Sequence, residues 1–330
     1  MFLKKLTYST WSLLALAVIL MFVINNNVGK QNEYDWEQQL EQEGIKNTRI
    51  IEEQLERIER ELMGIVSLFE TSETVSRSGF KTYVTPLLEK HGFIQSFQWI
   101  PRVRQNQRPL LETMAQRDGF PDFQFTTLNK NSAVIPAPPK NEYFPIYYVE
   151  PYSGNESVLG LDVSSQPNLL SHMNQAKDSG KTIATHTMSW RQNGPKVMAT
   201  LIFSPFYAGG GIPKTVEDRK RLFTGTMLGV YSINNMIKQI ISPYLTPGIF
   251  LTVFDGDRKN KIYGNLKEDD LIEIKKETYL NFSEIRWVLV WQANLEFQKG
   301  PNRLHYWLSA AVLVLIIFIA GIFQMVTSRT

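Results

Sequence analysis

Residues 97–112, FQWIPRVRQNQRPLLE, place three arginines, Arg102, Arg104 and Arg108, within seven positions directly after an aromatic run. The run alternates Ile94, Ser96 and Gln98 against Gln95, Phe97 and Trp99, the period-2 pattern of a strand that Pro101 ends. Pro109 then sits in the first turn of a helix expected over 106–116. The stretch is therefore a strand-to-helix junction, and its arginines serve either an anionic ligand or the packing of the junction. Arg102 and Arg104 share parity on an extended segment and should point to one side. Arg108 lies four residues before Glu112 on the helix, a pairing worth a few tenths of a kcal/mol. A buried arginine needs an acidic or backbone partner, whereas a free planar fork suits an anion. At least one of the three is expected to pair with an internal carboxylate.

Charge and hydropathy place this junction relative to a membrane. Two segments carry no charge, 6–24 (LTYSTWSLLALAVILMFVI) and 307–326 (WLSAAVLVLIIFIAGIFQMV). Roughly 20 apolar residues span a bilayer core, and Tyr306 and Trp307 stand where an aromatic belt would form. No small-x-small cleavage site follows the first segment, so it reads as an uncleaved anchor rather than a signal peptide. All 32 acidic residues lie between Glu33 and Glu296, while Lys4, Lys5 and Arg329 are the only basic residues outside 29–305. The middle region thus carries 35 − 3 = 32 basic against 32 acidic residues, and the net +3 belongs to the tails. The positive-inside rule puts both tails in the cytoplasm and the middle region outside it. A formally neutral exterior argues against nucleic acid as a partner. The absence of cysteine removes thiol nucleophiles, Cys-ligated zinc and thiol redox motifs.

Between the membrane segments the pattern changes several times. Ile51, Leu55, Ile58, Leu62, Ile65 and Phe69 form an a/d repeat in a long helix expected over 33–70. That stripe either packs on its own domain or forms a dimer seam. A short helix ending at Gly92 precedes the strand 94–99. Strands are expected near 123–127 and 143–149. LGLDVSSQPNLLSHMNQAKDSGK (159–181) reads as a strand ending in Asp162, a helix capped by Ser164 or Ser165 with Pro167 near its start, and a stop at Gly180. TIATHTMSW and KVMATLIFSPFY are strands joined by an RQNGP hairpin turn. AGGGIPK (208–214) is a loop and a domain boundary, followed by TGTMLGVYSI as a strand, a helix, and a smaller antiparallel set. The fold class is α+β, with two sensor-like lobes on one long helix between two membrane spans.

No motif carries catalysis. His91, His172, His186 and His305 lack metal-ligand spacing, and neither a P-loop, a dinucleotide fingerprint nor a nucleophile elbow is present. Asp255-Gly256-Asp257 is a turn without the ligand pattern of a calcium loop. No cofactor is expected. Tyr143, Tyr147, Tyr148 and Trp99 could wall a small-ligand pocket or belong to the core of a sheet.

Three blocks together resemble a known family: QWIPRVRQNQRPLLETMAQRDGFPDFQF, EYFPIYYVEPYSGNESVLGLDVSSQPNLLSHMNQAKDSGKTIATHTMSW, and SPFY. Over about Phe80 to Tyr231 the chain is similar to the extracellular CHASE sensor domain of bacterial histidine kinases, cyclic-dinucleotide enzymes and plant cytokinin receptors. The resemblance implies two tandem PAS-like lobes on a stalk helix, a ligand in the membrane-distal lobe, a homodimer, and transmission through the second membrane helix. In the plant receptors an aspartate matching Asp162 contacts the ligand. Their hydroxyl residue ahead of the conserved Pro-x-Tyr falls at Phe203 here, a departure that argues against cytokinin itself.

The expected organisation is a cytoplasmic tail and membrane helix (1–28), a stalk (29–72), a distal ligand-binding lobe (73–210), a proximal lobe (211–303), and a second membrane helix with a short tail (304–330). The expected ligand contacts are Asp162, Trp99, Arg102, Arg108, Tyr143, Tyr148 and Phe203, for an unidentified small molecule. The chain stops four residues after Val326, so an output domain is expected beyond Thr330 or in a cytoplasmic signalling partner. The rival readings are an extracytoplasmic adaptor, marked by a pocket filled with its own side chains, and a hydrolase, which needs a nucleophile, base and orienting group in one cleft.

Overall fold

The structure, a computed structural model, describes residues 8–129, 131, 133–190, 197–256, 260–266, 271–298, 311, 312, 314, 316–319 and 321. The RQNGP turn, His305, Arg329 and most of the segment 307–326 lie outside the described residues; those of the segment that are described are helical. Among the described residues, no helix is long and apolar enough to cross a membrane.

Helix α1 (Tyr8–Thr71) is one unbroken element of 64 residues, about 96 Å long at the usual rise. Ile51, Leu55, Ile58, Leu62 and Ile65 are buried in a core shared with both lobes. Glu52, Glu53, Glu56, Arg57 and Arg60 face outward. The a/d stripe is thus consumed by the helix's own domain. Ser76 caps α2 (Arg77–Lys90) by accepting the Gly79 N–H at 3.1 Å.

The first lobe follows. Strands β1 (Ile94–Pro101) and β2 (Val103–Arg104) precede α3 (Arg108–Arg117), and β3 (Thr126–Leu128) pairs with β4 (Val134–Pro136). The expected strand 143–149 is divided into β5 (Glu142–Tyr143) and β6 (Tyr148–Glu150). Pro145, which has no N–H for a ladder, lies in the gap and bridges to Asp162. Asp162, rather than a serine, caps the turn 163–165, and α4 (Pro167–Ser179) starts two residues later with no side-chain cap. Gly180 ends α4 at φ +75°, the left-handed conformation glycine adopts without a Cβ penalty. Then come β7 (Ile183–Ala184), β8 (Met188–Trp190), β9 (Val197–Tyr207), α5 (Val216–Leu222) and β10 (Phe223–Ser232).

The main sheet has the order β6-β1-β10-β9-β7, with β8 also on β9. The boundary expected at 210/211 therefore falls between antiparallel neighbours, β9 and β10, of one sheet. Strand alternation gives the sheet two faces. Phe97, Trp99, Tyr148, Met227, Ile202 and Tyr231 face α1 and α2; Ile100, Val149, Leu201, Phe203, Leu228 and Val230 face α4.

Helix α6 (Ile233–Ile240) leads to a second sheet, β12-β11-β14-β13, made of β11 (Ile249–Asp255), β12 (Asn260–Gly264), β13 (Ile274–Phe282) and β14 (Ile285–Ala293). A short α7 (Leu295–Gln298) follows. This sheet presses Trp291 onto the stalk at Gly44, where a Cβ would come within 2.7 Å of the indole. Lys276 reaches Glu37 at 2.8 Å, and Trp291 Nε1 donates to Thr278 Oγ1 at 2.8 Å beside Thr48.

Candidate functional site

The opening arginines have separate duties. Arg102 leaves the end of β1, pairs with Glu142 of β5, and donates from Nη1 to the Lys220 carbonyl at 3.1 Å. It thereby joins β1, β5 and α5. Arg104 is exposed. Arg108 is a staple: Nε donates to Glu112 Oε1 at 2.8 Å, and Nη1 to the Ala137 carbonyl at 2.8 Å and the Tyr143 hydroxyl at 3.3 Å. Glu112 also accepts the Phe125 N–H at 2.8 Å. Helix α3 and the two segments flanking the 126–136 hairpin, at Phe125 and Ala137, are bound through that one carboxylate–guanidinium pair. Two of the three arginines thus pair with carboxylates inside the lobe.

Asp162 is buried and spends its carboxylate internally. Oδ1 accepts the backbone N–H of Phe144 at 3.0 Å, the N–H of Ser164 at 3.1 Å and the Ser164 hydroxyl at 2.7 Å, while Oδ2 meets the Lys140 ammonium. Lys140 also donates to Ser164 Oγ at 2.5 Å and lies over the Tyr143 ring. Tyr143 is fully buried; its hydroxyl donates towards Gln105 Oε1 and accepts the Lys140 N–H at 2.9 Å. Asp162, Tyr143 and Arg108 therefore belong to one polar knot that fixes the loops over the sheet.

Trp99 and Tyr148 stand elsewhere, neighbours across β1 and β6 with ring centroids 4.8 Å apart. Phe203 lies on the opposite face of the sheet, within the core against α4. Trp99 and Phe203 thus do not line one cavity. Ser204, the residue directly before Pro205, carries a hydroxyl on the face away from Phe203 and accepts from Thr182 Oγ1 at 3.3 Å.

Beside Tyr148 is a group that no sequence pattern singles out. The Arg77 guanidinium lies between Phe120 at 4.3 Å and Tyr148 at 4.6 Å, with Tyr147 at 5.5 Å. Among the described residues its sealed Nε and Nη2 have no hydrogen-bond partner, and neither has the Trp99 Nε1. An unpaired buried donor typically costs about 1–3 kcal/mol. Burial lowers the Arg77 pKa, against the opposing influence of Tyr148, Tyr147, Asp118 and Glu150. The tyrosine protons are already committed: Tyr147 donates to the Leu111 carbonyl and Tyr148 to the Val75 carbonyl, each at 3.0 Å. The cluster is rich in free donors and aromatic surface. Between the lobes, a separate cleft of about 640 Å³ is bordered by Met63, Glu70, Lys181, Ile183, Ile212 and Glu284.

The chain thus carries two antiparallel sheets, each with its own helices, on one stalk helix. The periplasmic sensory domain of the Campylobacter jejuni chemoreceptor Tlp1 shares the fold, with a TM-score of 0.52 at 8% identity over 82% of this chain and 99% of that domain. Residues 73–263 match the CHASE domain, more than half of the 330-residue chain, and the chain belongs to that family. It is also 25% identical over 178 residues to the hybrid signal transduction histidine kinase A of Dictyostelium discoideum, a match covering 50% of this chain and 8% of the kinase. The chain therefore spans a small part of the length of that relative.

Proposed function

We propose that this CHASE-family sensor is a two-pass receptor of the cell membrane, anchored by segments 6–24 and 307–326, with its lobes in the periplasm or outside the cell. It works as a homodimer, captures a small molecule in the first lobe, and shifts the 307–326 helix to drive a cytoplasmic output domain or partner. Hydropathy and the confinement of net charge to the tails support the topology.

The observation that carries the reading is a direct link between the lobes. Asp255, at the end of β11, accepts the Thr187 N–H at 2.6 Å and contacts His186 Nδ1 at 3.0 Å. Ser283, between β13 and β14, accepts the Ala184 N–H at 3.1 Å. All these anchors fall on residues 184–187, which continue from an edge strand of the first sheet. Movement of that edge displaces the second lobe. A ligand that prefers one lobe arrangement shifts the population; one with equal affinity for both transmits nothing.

Of the seven candidates, Trp99 and Tyr148 are the ligand contacts in this reading. Asp162, Arg102, Arg108 and Tyr143 hold the loops, and Phe203 fills the core. The test is a metabolite library screened by melting shift on the full chain in detergent micelles. A stabilising compound is expected whose effect is lost in Tyr148→Ala and kept in Arg102→Ala. A library without any stabilising compound would leave the adaptor reading in its place.

A further inference from the structure

We infer that the Arg77 cluster is a carboxylate-binding site, in which the Nε–Nη2 edge of Arg77 receives the carboxylate of a small organic acid beside aromatic walls. The inference rests on the sensor reading above and names the chemical class of its ligand.

Three buried donors of this aromatic cluster have no partner among the described residues: Arg77 Nε, Arg77 Nη2 and Trp99 Nε1. Two of them form one edge of a guanidinium fork, the geometry that holds a carboxylate through two parallel hydrogen bonds. The structural arginines of this chain look different. Arg108 has Glu112, Ala137 and Tyr143 for its donors, and Arg219 gives Nε to the Asp178 carbonyl at 2.7 Å and Nη1 to that of Pro213 at 2.8 Å. Arg77 has aromatic faces in place of acceptors. Asp118 and Glu150 act on it through space, yet neither is hydrogen-bonded to it.

The walls also suit an organic acid over a bare inorganic anion. The guanidinium packs on the Phe120 and Tyr148 rings, and Tyr147 and Trp99 pack in turn on Tyr148 and extend the apolar surface. Apolar walls around a few convergent polar groups are the usual composition of a small-ligand site. The outer wall is carried by irregular segments: Phe120 meets the exposed Tyr152 edge-to-face at 5.1 Å, and Gly119 precedes it at φ +100°. Displacement of these two rings opens the cluster without disturbing β1, β6 or α2.

The experiment uses the full chain in detergent micelles, with acetate, succinate and phenylacetate as probes and acetamide, succinamide and phenylacetamide as uncharged isosteres at matched ionic strength. Melting temperature and tryptophan fluorescence are both read. At least one carboxylate is expected to stabilise the protein and perturb the fluorescence, while its amide does neither. Arg77→Gln should weaken that binding by about tenfold or more, Arg77→Lys should restore only part of it, and Arg102→Ala should leave it unchanged. If Arg77→Gln does not fold, the charge-conserving Arg77→Lys, which loses the planar fork, takes its place and is expected to weaken binding. Carboxylates that neither stabilise nor perturb the fluorescence overturn the inference, and so does binding that survives Arg77→Gln or, in its place, is unchanged in Arg77→Lys. Binding of uncharged metabolites without carboxylate binding overturns it while leaving the sensor reading intact.

Discussion

The Asp162 carboxylate, 1% exposed, meets the ammonium of Lys140, 35% exposed, so this ion pair reaches from the interior of the first lobe to its surface. The buried end also holds two backbone N–H groups. Replacing Asp162 by Ala leaves both unpaired and strips the lysine of its partner, with an expected loss of about 3–5 kcal/mol. Asp162→Asn keeps a capping oxygen and should cost distinctly less. Urea denaturation of the two variants checks the order; equal costs would mean that the charge, not the cap, is what matters.

Asp255 makes a second testable junction. Its buried carboxylate takes the Thr187 N–H, whereas the His186 side chain beside it is 66% exposed. Asp255→Ala is expected to destabilise by about 1–3 kcal/mol and to speed amide exchange at Thr187. His186→Ala should stay within about 0.5 kcal/mol. Exchange at Thr187 that is unchanged in Asp255→Ala would show that the lobes are held by other contacts.

The stalk separates packing from surface within two helical turns. Ile58 is fully buried and Met63 is 49% exposed. Ile58→Ala should cost about 2–5 kcal/mol, and Met63→Ala about 0.5 kcal/mol or less. Chemical denaturation decides it; comparable losses would put Met63 in a contact between copies of the chain.

Glu150 gives the pH dependence a sign. Burial raises its carboxyl above the ordinary 4.5, opposed by Lys81, the Tyr152 N–H and Arg77. The folded chain therefore keeps this proton to higher pH than the unfolded chain. Between 4.5 and the raised value the native state binds more protons, so stability falls as pH rises through that window and then levels off. Glu150→Gln removes this slope and should stabilise the protein at neutral pH. Melting temperatures across pH for both proteins measure it, and a steeper slope in the variant would contradict the assignment.

Elements governed by short-range pattern were readable in the sequence. The Ile51–Ile65 stripe, the strand ending at Pro101, the helix after Pro167 and its stop at Gly180 each depend on spacing within a few residues. Partner choice is not local, so β10 reads equally well as the first strand of a second lobe; only its pairing between β1 and β9 assigns it to the first. The same limit governs the site. Arg108 with Glu112 is an i, i+4 pair visible in the sequence, but the Ala137 carbonyl that completes it is not. Arg77 opens an unremarkable helix, and its aromatic neighbours Phe120, Tyr147 and Tyr148 come from distant loops and an edge strand. The sequence places a serine cap on the helix after Asp162; instead Asp162 caps the intervening 163–165 turn and the helix starts without a side-chain cap.

The chain enters the first sheet on β1 and leaves it on β10, its antiparallel neighbour, with Pro101 opposite Gly225. Everything between is an excursion whose two ends are fastened side by side. Loops in the excursion can lengthen, shrink or change their chemistry without moving the point at which the chain departs for the second lobe. The loops of the first lobe are free to diversify, while the point of departure for the second lobe keeps one fixed geometry.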